Sequence, residues 1–184
     1  EDQLPHLELA REIVRRFHSQ YKPGVFPEPQ GRLTPTPRLQ GLDGRRMSKS
    51  FGNTIDLSEE LASVDKKVRA MFTDPNRKKR TDPGNPDVCN VYAFHGMLNT
   101  KERCESINAD CRVAKIGCVD CKIELSGRMS SWLGPIQERR KALLADPGKL
   151  DRILAEGNER ARAIAKKTMT EVRAAVFQTG GGGV

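Results

Sequence analysis

Arg46-Met47-Ser48-Lys49-Ser50 sets four cationic or hydroxyl side chains within five residues, beside Gly44 and Gly52. Such a stretch can wrap a polyphosphate. Lys49 brings a mobile ammonium, Ser48 and Ser50 bring hydroxyls, and the glycines let the backbone bend. Phosphoryl and nucleotidyl transfer need this equipment, because their catalysis is mostly positioning and charge neutralisation. A second group with chemical potential is formed by Cys89, Cys111, Cys118 and Cys121, whose last three members read C-x6-C-x2-C. Cys118 and Cys121, three apart, face one direction on a helical turn, and Gly117 allows a tight bend beside them. Four convergent thiolates suit a tetrahedral zinc ion or a cubane iron–sulfur cluster, and four reduced core cysteines are the third reading. Cys104 falls outside this spacing and reads as a small buried hydrophobe.

The elements that must position these groups are mostly helical. Leu7, Ala10, Val14 and Phe17 recur at helical spacing over residues 4–18. Five prolines, at 23, 27, 29, 35 and 37, then force an extended or looped path that delivers the chain to the Lys49 stretch. Val25-Phe26 and Arg38-Leu39 are candidate strand ends from a parallel sheet. From Ser58, a candidate N-cap, Leu61, Val64, Val68, Met71 and Phe72 form a helical stripe that Thr73-Asp74-Pro75 stops. Arg77-Lys78-Lys79-Arg80 is either a solvated face or a phosphate-backbone contact, closed by the turn Asp82 to Pro86. Asp87 can cap a helix from Val88 to about Leu98. Further helices are expected over 100–110, from about Cys118 to Ala145, from Asp151, and from Asn158 to about Phe177. Asp146-Pro147-Gly148 reads as a turn, Trp132 as packing, and the glycine-rich tail as disordered.

Composition narrows the function. The chain has 184 residues, 36% hydrophobic and 30% charged, with a net charge of +8. That balance favours an anionic partner such as RNA or ATP. No apolar run approaches the roughly 20 residues that span a bilayer. Five cysteines, an odd number, argue against a secreted disulfide framework and fit a cytoplasmic protein. The three histidines lack partners at useful spacing and read as surface or core residues.

The run Leu42-Asp43-Gly44-Arg45-Arg46-Met47-Ser48-Lys49-Ser50-Phe51-Gly52-Asn53-Thr54-Ile55 resembles the KMSKS loop of class I aminoacyl-tRNA synthetases, in the version of the tryptophan-specific bacterial branch. Arg46 stands where the pattern has its first lysine. Glu1-Asp2-Gln3 is similar to the G-E-D-Q element of that branch, and Asp82 to Pro86 also resembles it. The cysteine spacing is similar to the subset that holds a [4Fe-4S] cluster in its helical domain. A HIGH-type motif is absent and the chain does not begin with Met, so it reads as the C-terminal portion of a longer protein.

The resemblance implies a mainly α chain with two parts. Residues 1–57 would be the end of a Rossmann-like α/β catalytic domain, residues 58–178 an all-helical anticodon-binding domain, and 179–184 a disordered tail. It also implies ATP with Mg2+, tryptophan and tRNA(Trp) as partners, and a homodimer. Lys49 and Arg46 would be catalytic. Asp2, Gln3, Met47, Ser48, Lys49 and Ser50 would bind ATP, with Gln3 also touching tryptophan. Cys89, Cys111, Cys118 and Cys121 would hold the metal. A tyrosine-specific synthetase and a non-catalytic RNA-binding module with a structural metal site are the alternatives.

Overall fold

The computed structural model describes residues 3–34 and 39–177. Among these described residues six α-helices run in chain order: α1 (Leu4–Gln20), α2 (Leu61–Ala70), α3 (Asn90–Leu98), α4 (Lys101–Arg112), α5 (Cys118–Ala145) and α6 (Pro147–Val176). Short 3-10 turns lie at Lys49–Phe51 and Pro86–Val88. No strand forms among the described residues; Gln40 and Arg46 make one isolated antiparallel bridge. Among these residues no helix is long and apolar enough to cross a membrane. The chain divides into two compact units, Arg38–Ala145 and Glu1–Pro37 with Asp146–Val184.

In the first unit, α5 lays Leu125, Met129 and Leu133 at four-residue spacing against Val64, Val68 and Met71 around α2 and Val91 and Phe94 of α3. Fully burying each such side chain stabilises by about 1.5–3 kcal/mol. Polar ties fix how the helices are set: Ser126 Oγ donates to Asp65 Oδ1 at 2.6 Å, and Gln137 Nε2 donates to the Glu59 carbonyl at 2.8 Å. Lys122 Nζ satisfies the Arg69 carbonyl in the last turn of α2 at 2.8 Å. Leu42, Met47 and Ile55 pack against the same core. This packing joins the Lys49 loop to the helices in one unit.

In the second unit the proline segment doubles back along α1. Phe26 meets Phe17 edge-on at 5.0 Å, and its N–H donates to His18 Nε2 at 3.2 Å. Arg15 pairs with Glu28, and Arg11 Nε donates to the Pro29 carbonyl at 2.7 Å. Val25-Phe26 is therefore helix-packing coil and not a strand end. The prolines suppress helix, and side chains of α1 satisfy the freed backbone groups.

Other expectations shift at helix ends. Helix α2 begins after Glu60 and not at Ser58. Asn85, not Asp87, caps the turn before α3, accepting from the Asp87 N–H at 3.0 Å. Thr100 caps α4 through Arg103 N–H. Pro135 lies inside α5 without ending it. The expected turn at Asp146-Pro147 is a helix start: Asp146 Oδ1 accepts from Lys149 N–H at 2.9 Å and Pro147 opens α6, so two expected helices are one. Trp132, read as a packing residue, is 50% exposed. The glycine tail, Asp2 and Arg38 lie outside the described residues.

Candidate functional site

The Lys49 loop is built on Asn53. This side chain is only 4% exposed. Its Oδ1 accepts from Ser48 N–H at 2.8 Å, while its Nδ2 donates to Asp43 Oδ1 at 2.8 Å and to the Arg46 carbonyl at 3.1 Å. The Leu42 N–H donates to the Asn53 carbonyl at 3.0 Å. One amide thus gathers both limbs of the loop. Gly41 allows this, because a Cβ there would lie 2.1 Å from Asn53 Nδ2. Gly44 and Gly52 take φ of +79° and +63°, the left-handed region that glycine enters at little cost. The hydrogen bond from Asn53, with help from Arg45, holds the Asp43 carboxyl down at about 2.

This scaffold leaves the chemically useful groups outward. Lys49 and Ser50 are exposed. Ser48 Oγ and Ser50 Oγ lie 2.8 Å apart. Arg46 is also exposed, whereas Met47 is half-buried against the core. Arg45 is tied to Asp43 at 2.6 Å and stacks 4.9 Å over the Phe51 ring, so it braces the loop. The loop therefore offers an ammonium and two hydroxyls on a rigid base, as binding of a polyphosphate requires. Gln3 stands exposed at the N-cap of α1, in the other compact unit.

The cysteines form a second focus. Cys89, Cys111, Cys118 and Cys121 line one cavity with about 320 Å³ of atom-free space, part of it open to solvent. Cys104 does not line it; its Sγ–H donates to the His95 carbonyl at 3.4 Å. Helix α3 follows Cys89, α4 carries Cys111, and α5 opens with Cys118 and Cys121. Gly84 is required at the rim, since a Cβ there would sit 2.6 Å from Cys111 Sγ. Burial, then the charges of Cys89 and Cys111, push the Cys121 thiol up to about 12. Burial also raises Cys89 and Cys111, and the nearby Arg77 cation opposes the rise at Cys111. Among the described residues no group of three or more His, Cys, Asp or Glu side chains is arranged to hold a metal ion. The spacing brings the four thiols to one cavity but not into a closed ligand shell.

Arg77 is the residue that sequence reasoning missed here. Expected on a solvated or RNA-facing run, it turns inward. Its Nη1 lies 3.8 Å from both Cys111 Sγ and Cys118 Sγ, and Nη2 donates to the Arg80 and Ile116 carbonyls at 2.8 and 2.9 Å. Its Nε is buried without a hydrogen-bond partner. A guanidinium held this way favours negative charge on Cys111 Sγ, against the burial that raises that thiol. His95 is fully buried behind the pocket. Its Nε2 donates to the Cys121 carbonyl at 3.1 Å, leaving Nδ1 to accept from Asn99 Nδ2 at 2.6 Å. Burial lowers the pKa of this imidazole below its usual value.

The family model of tRNA synthetases class I (W and Y) matches residues 1–134. A tryptophan–tRNA ligase of Aquifex aeolicus is 46% identical over 177 residues, covering 96% of this chain and 45% of the relative. One from Thermotoga maritima is 44% identical over 177 residues, covering 96% of this chain and 54% of the relative. The tryptophanyl-tRNA synthetase of Campylobacter jejuni, solved with ADP and tryptophan, superposes with a TM-score of 0.76 at 25% identity over 96% of this chain and 55% of its own. That of Aeropyrum pernix K1 gives 0.67 at 28% identity over 82% of this chain and 41% of its own. The chain spans about half the length of the curated relatives it matches.

Proposed function

The chain belongs to the class I tRNA synthetases (W and Y), and on that premise we propose that it forms the C-terminal portion of a tryptophan–tRNA ligase. The observation that carries the reading is the Asn53-braced loop, which leaves Lys49 and Ser50 exposed beside a half-buried Ser48. In the proposed first step the tryptophan carboxylate attacks the α-phosphorus of ATP. The bond from that phosphorus to the bridging oxygen breaks, and pyrophosphate leaves. Lys49, with Arg46, neutralises the charge that grows on the departing oxygens. Ser48 and Ser50 donate to phosphate and Met47 sets backbone beside adenine; Mg2+, when bound with ATP, would neutralise phosphate charge. Asp2 and Gln3 reach the ribose and the amino group of tryptophan. In the second step a terminal ribose hydroxyl of tRNA(Trp) takes the aminoacyl group and AMP departs. Residues 58–178 meet the anticodon, and the intact enzyme is a homodimer.

The relatives being tryptophan ligases supports tryptophan over tyrosine. For the cysteines we propose a [4Fe-4S] cluster held by Cys89, Cys111, Cys118 and Cys121. Support comes from four thiols on one cavity, the exclusion of Cys104, the cradle at Gly84 and the unpartnered buried Nε of Arg77. When bound, such a group would cross-link the ends of α3, α4 and α5, and its assembly would release the thiol protons.

The test is Lys49→Ala in the intact ligase, followed by single-turnover adenylate formation. The rate is expected to fall on the order of 100- to 1000-fold, about 2.7–4 kcal/mol, while tryptophan affinity holds. An unaltered rate with weakened tryptophan binding refutes the assignment.

A further inference from the structure

The cysteine cavity and the Lys49 loop meet at a single dipeptide. Cys89 lines the cavity. The next residue, Asn90, opens α3 and is only 2% exposed. Its Nδ2 donates to the Gly41 carbonyl at 2.7 Å, across 49 residues of sequence. Gly41 is the foot of the loop. Its carbonyl also accepts from Gly44 N–H at 3.0 Å, and its N–H donates to the Arg45 carbonyl at 2.6 Å. Gly41 is further clamped from the other side by Asn53, against which no Cβ would fit.

Asn90 is an expensive way to fill this position. Its Oδ1 is buried with no hydrogen-bond partner. Leaving such an acceptor unpaired is destabilising, and an apolar side chain of similar size would avoid it. The amide's contribution is therefore its single donor bond to the loop.

We infer that Asn90 is a positioning residue, which fixes the foot of the 41–53 loop to the first turn of α3 and so ties the loop to the cysteine cavity. Whatever holds Cys89 in place also holds the backbone from which Asn90 reaches Gly41. The mechanical part of this inference stands on geometry alone. Its bearing on catalysis rests on the reading of the loop as the polyphosphate clamp.

The experiment is hydrogen exchange by mass spectrometry on the intact protein, with Asn90→Ala and Asn90→Leu. The leucine variant removes the donor and the orphaned carbonyl together, so the fold is kept. Amides of 41–53 are expected to exchange on the order of tenfold faster, with α2 and α5 unaltered. Unaltered exchange over 41–53, or equal acceleration in α2 and α5, overturns the inference. Cys89→Ser is expected to accelerate the same segment and to add little in the Asn90→Leu background. No effect on the segment, or a fully additive one, overturns the link to the cavity. In ATP–pyrophosphate exchange, Asn90→Leu is expected to raise the KM for ATP several-fold and leave that for tryptophan in place. If the loop loosens but the ATP dependence does not move, Asn90 keeps its role and the polyphosphate reading of the loop falls.

Discussion

Asn53→Ala is the sharpest test of how the Lys49 loop is shaped. The substitution deletes three side-chain hydrogen bonds, to Ser48 N–H, Asp43 Oδ1 and the Arg46 carbonyl. Each is worth about 0.5–1.5 kcal/mol net, and groups left buried without a partner add to the loss. The closed loop should therefore lose about 2–4 kcal/mol against its open forms, a shift on the order of 30- to 700-fold in population. The backbone pair between Leu42 and Asn53 survives, so the core packing of Leu42 and Ile55 should persist. Carboxyl NMR offers a readout independent of activity. Asp43 titrates at about 2 because Asn53 donates to it first and Arg45 second. A group lowered this way lends stability that is complete above its unfolded value, 3.8, and is lost as the pH falls from there towards about 2. In Asn53→Ala the Asp43 midpoint should climb towards 3.8, leaving only the Arg45 contribution. The Ser48 amide should exchange faster in parallel. An Asp43 midpoint still near 2, or an unaltered Ser48 amide, would refute the view that one asparagine organises the loop.

Four further outcomes follow from the same structure. On the proposed cluster, Cys118→Ser should abolish iron binding in protein purified without oxygen, and Cys104→Ser should leave it in place, by elemental analysis; one zinc per chain would reject the cluster. Gly84→Ala should cost about 1–3 kcal/mol in urea titration by driving a methyl into Cys111 Sγ, with no compensating contact. Glu124 is held below its usual range by Arg103, whose Nε donates to Oε1 at 2.8 Å; stability from this pair should be complete above about pH 4.5 and fade as the pH falls below it, and Glu124→Gln should remove that dependence from the acid limb of a denaturation profile. Ala114 holds φ of +59° in the turn between α4 and α5, so Ala114→Gly should raise the melting temperature, in keeping with relief of roughly 1–2 kcal/mol of left-handed strain against the extra unfolded-state freedom of glycine.

What sequence alone could reach depended on whether the signal was local. The stripe Leu61-Val64-Val68 repeats at helical spacing, and the expected span from Cys118 to Ala145 matches α5, so both helices were legible. The Lys49 loop was legible from its side chains and glycines. By contrast, Asp146-Pro147-Gly148 carries the same residues whether it turns the chain or starts a helix; only the bond to Lys149 N–H decides, and it makes a start. The proline segment offered strand-like Val25-Phe26, but its partner is α1, a choice made by tertiary contact. Arg77 could not be told from its neighbours Lys78, Lys79 and Arg80, because the direction of a charged side chain is set by the sulfurs and carbonyls that surround it. Asn53 and Asn90 were silent for the same reason: their partners lie across the loop or 49 residues away.

The Gln137–Glu59 bond spans 78 residues, and this has a consequence for how the chain is made. During synthesis at roughly 5–20 residues per second, Gln137 follows Glu59 by about 4–16 s. Asn90 follows Gly41 within that interval. Until α3 and α5 have emerged, Leu42, Met47 and Ile55 have no core to cover them. The segment that will present Lys49 thus spends seconds as an uncovered apolar strip on the nascent polypeptide. Its core cover arrives only once α5 has emerged, and slow elongation between Ile55 and α5 prolongs the window in which it can engage a chaperone or another nascent chain.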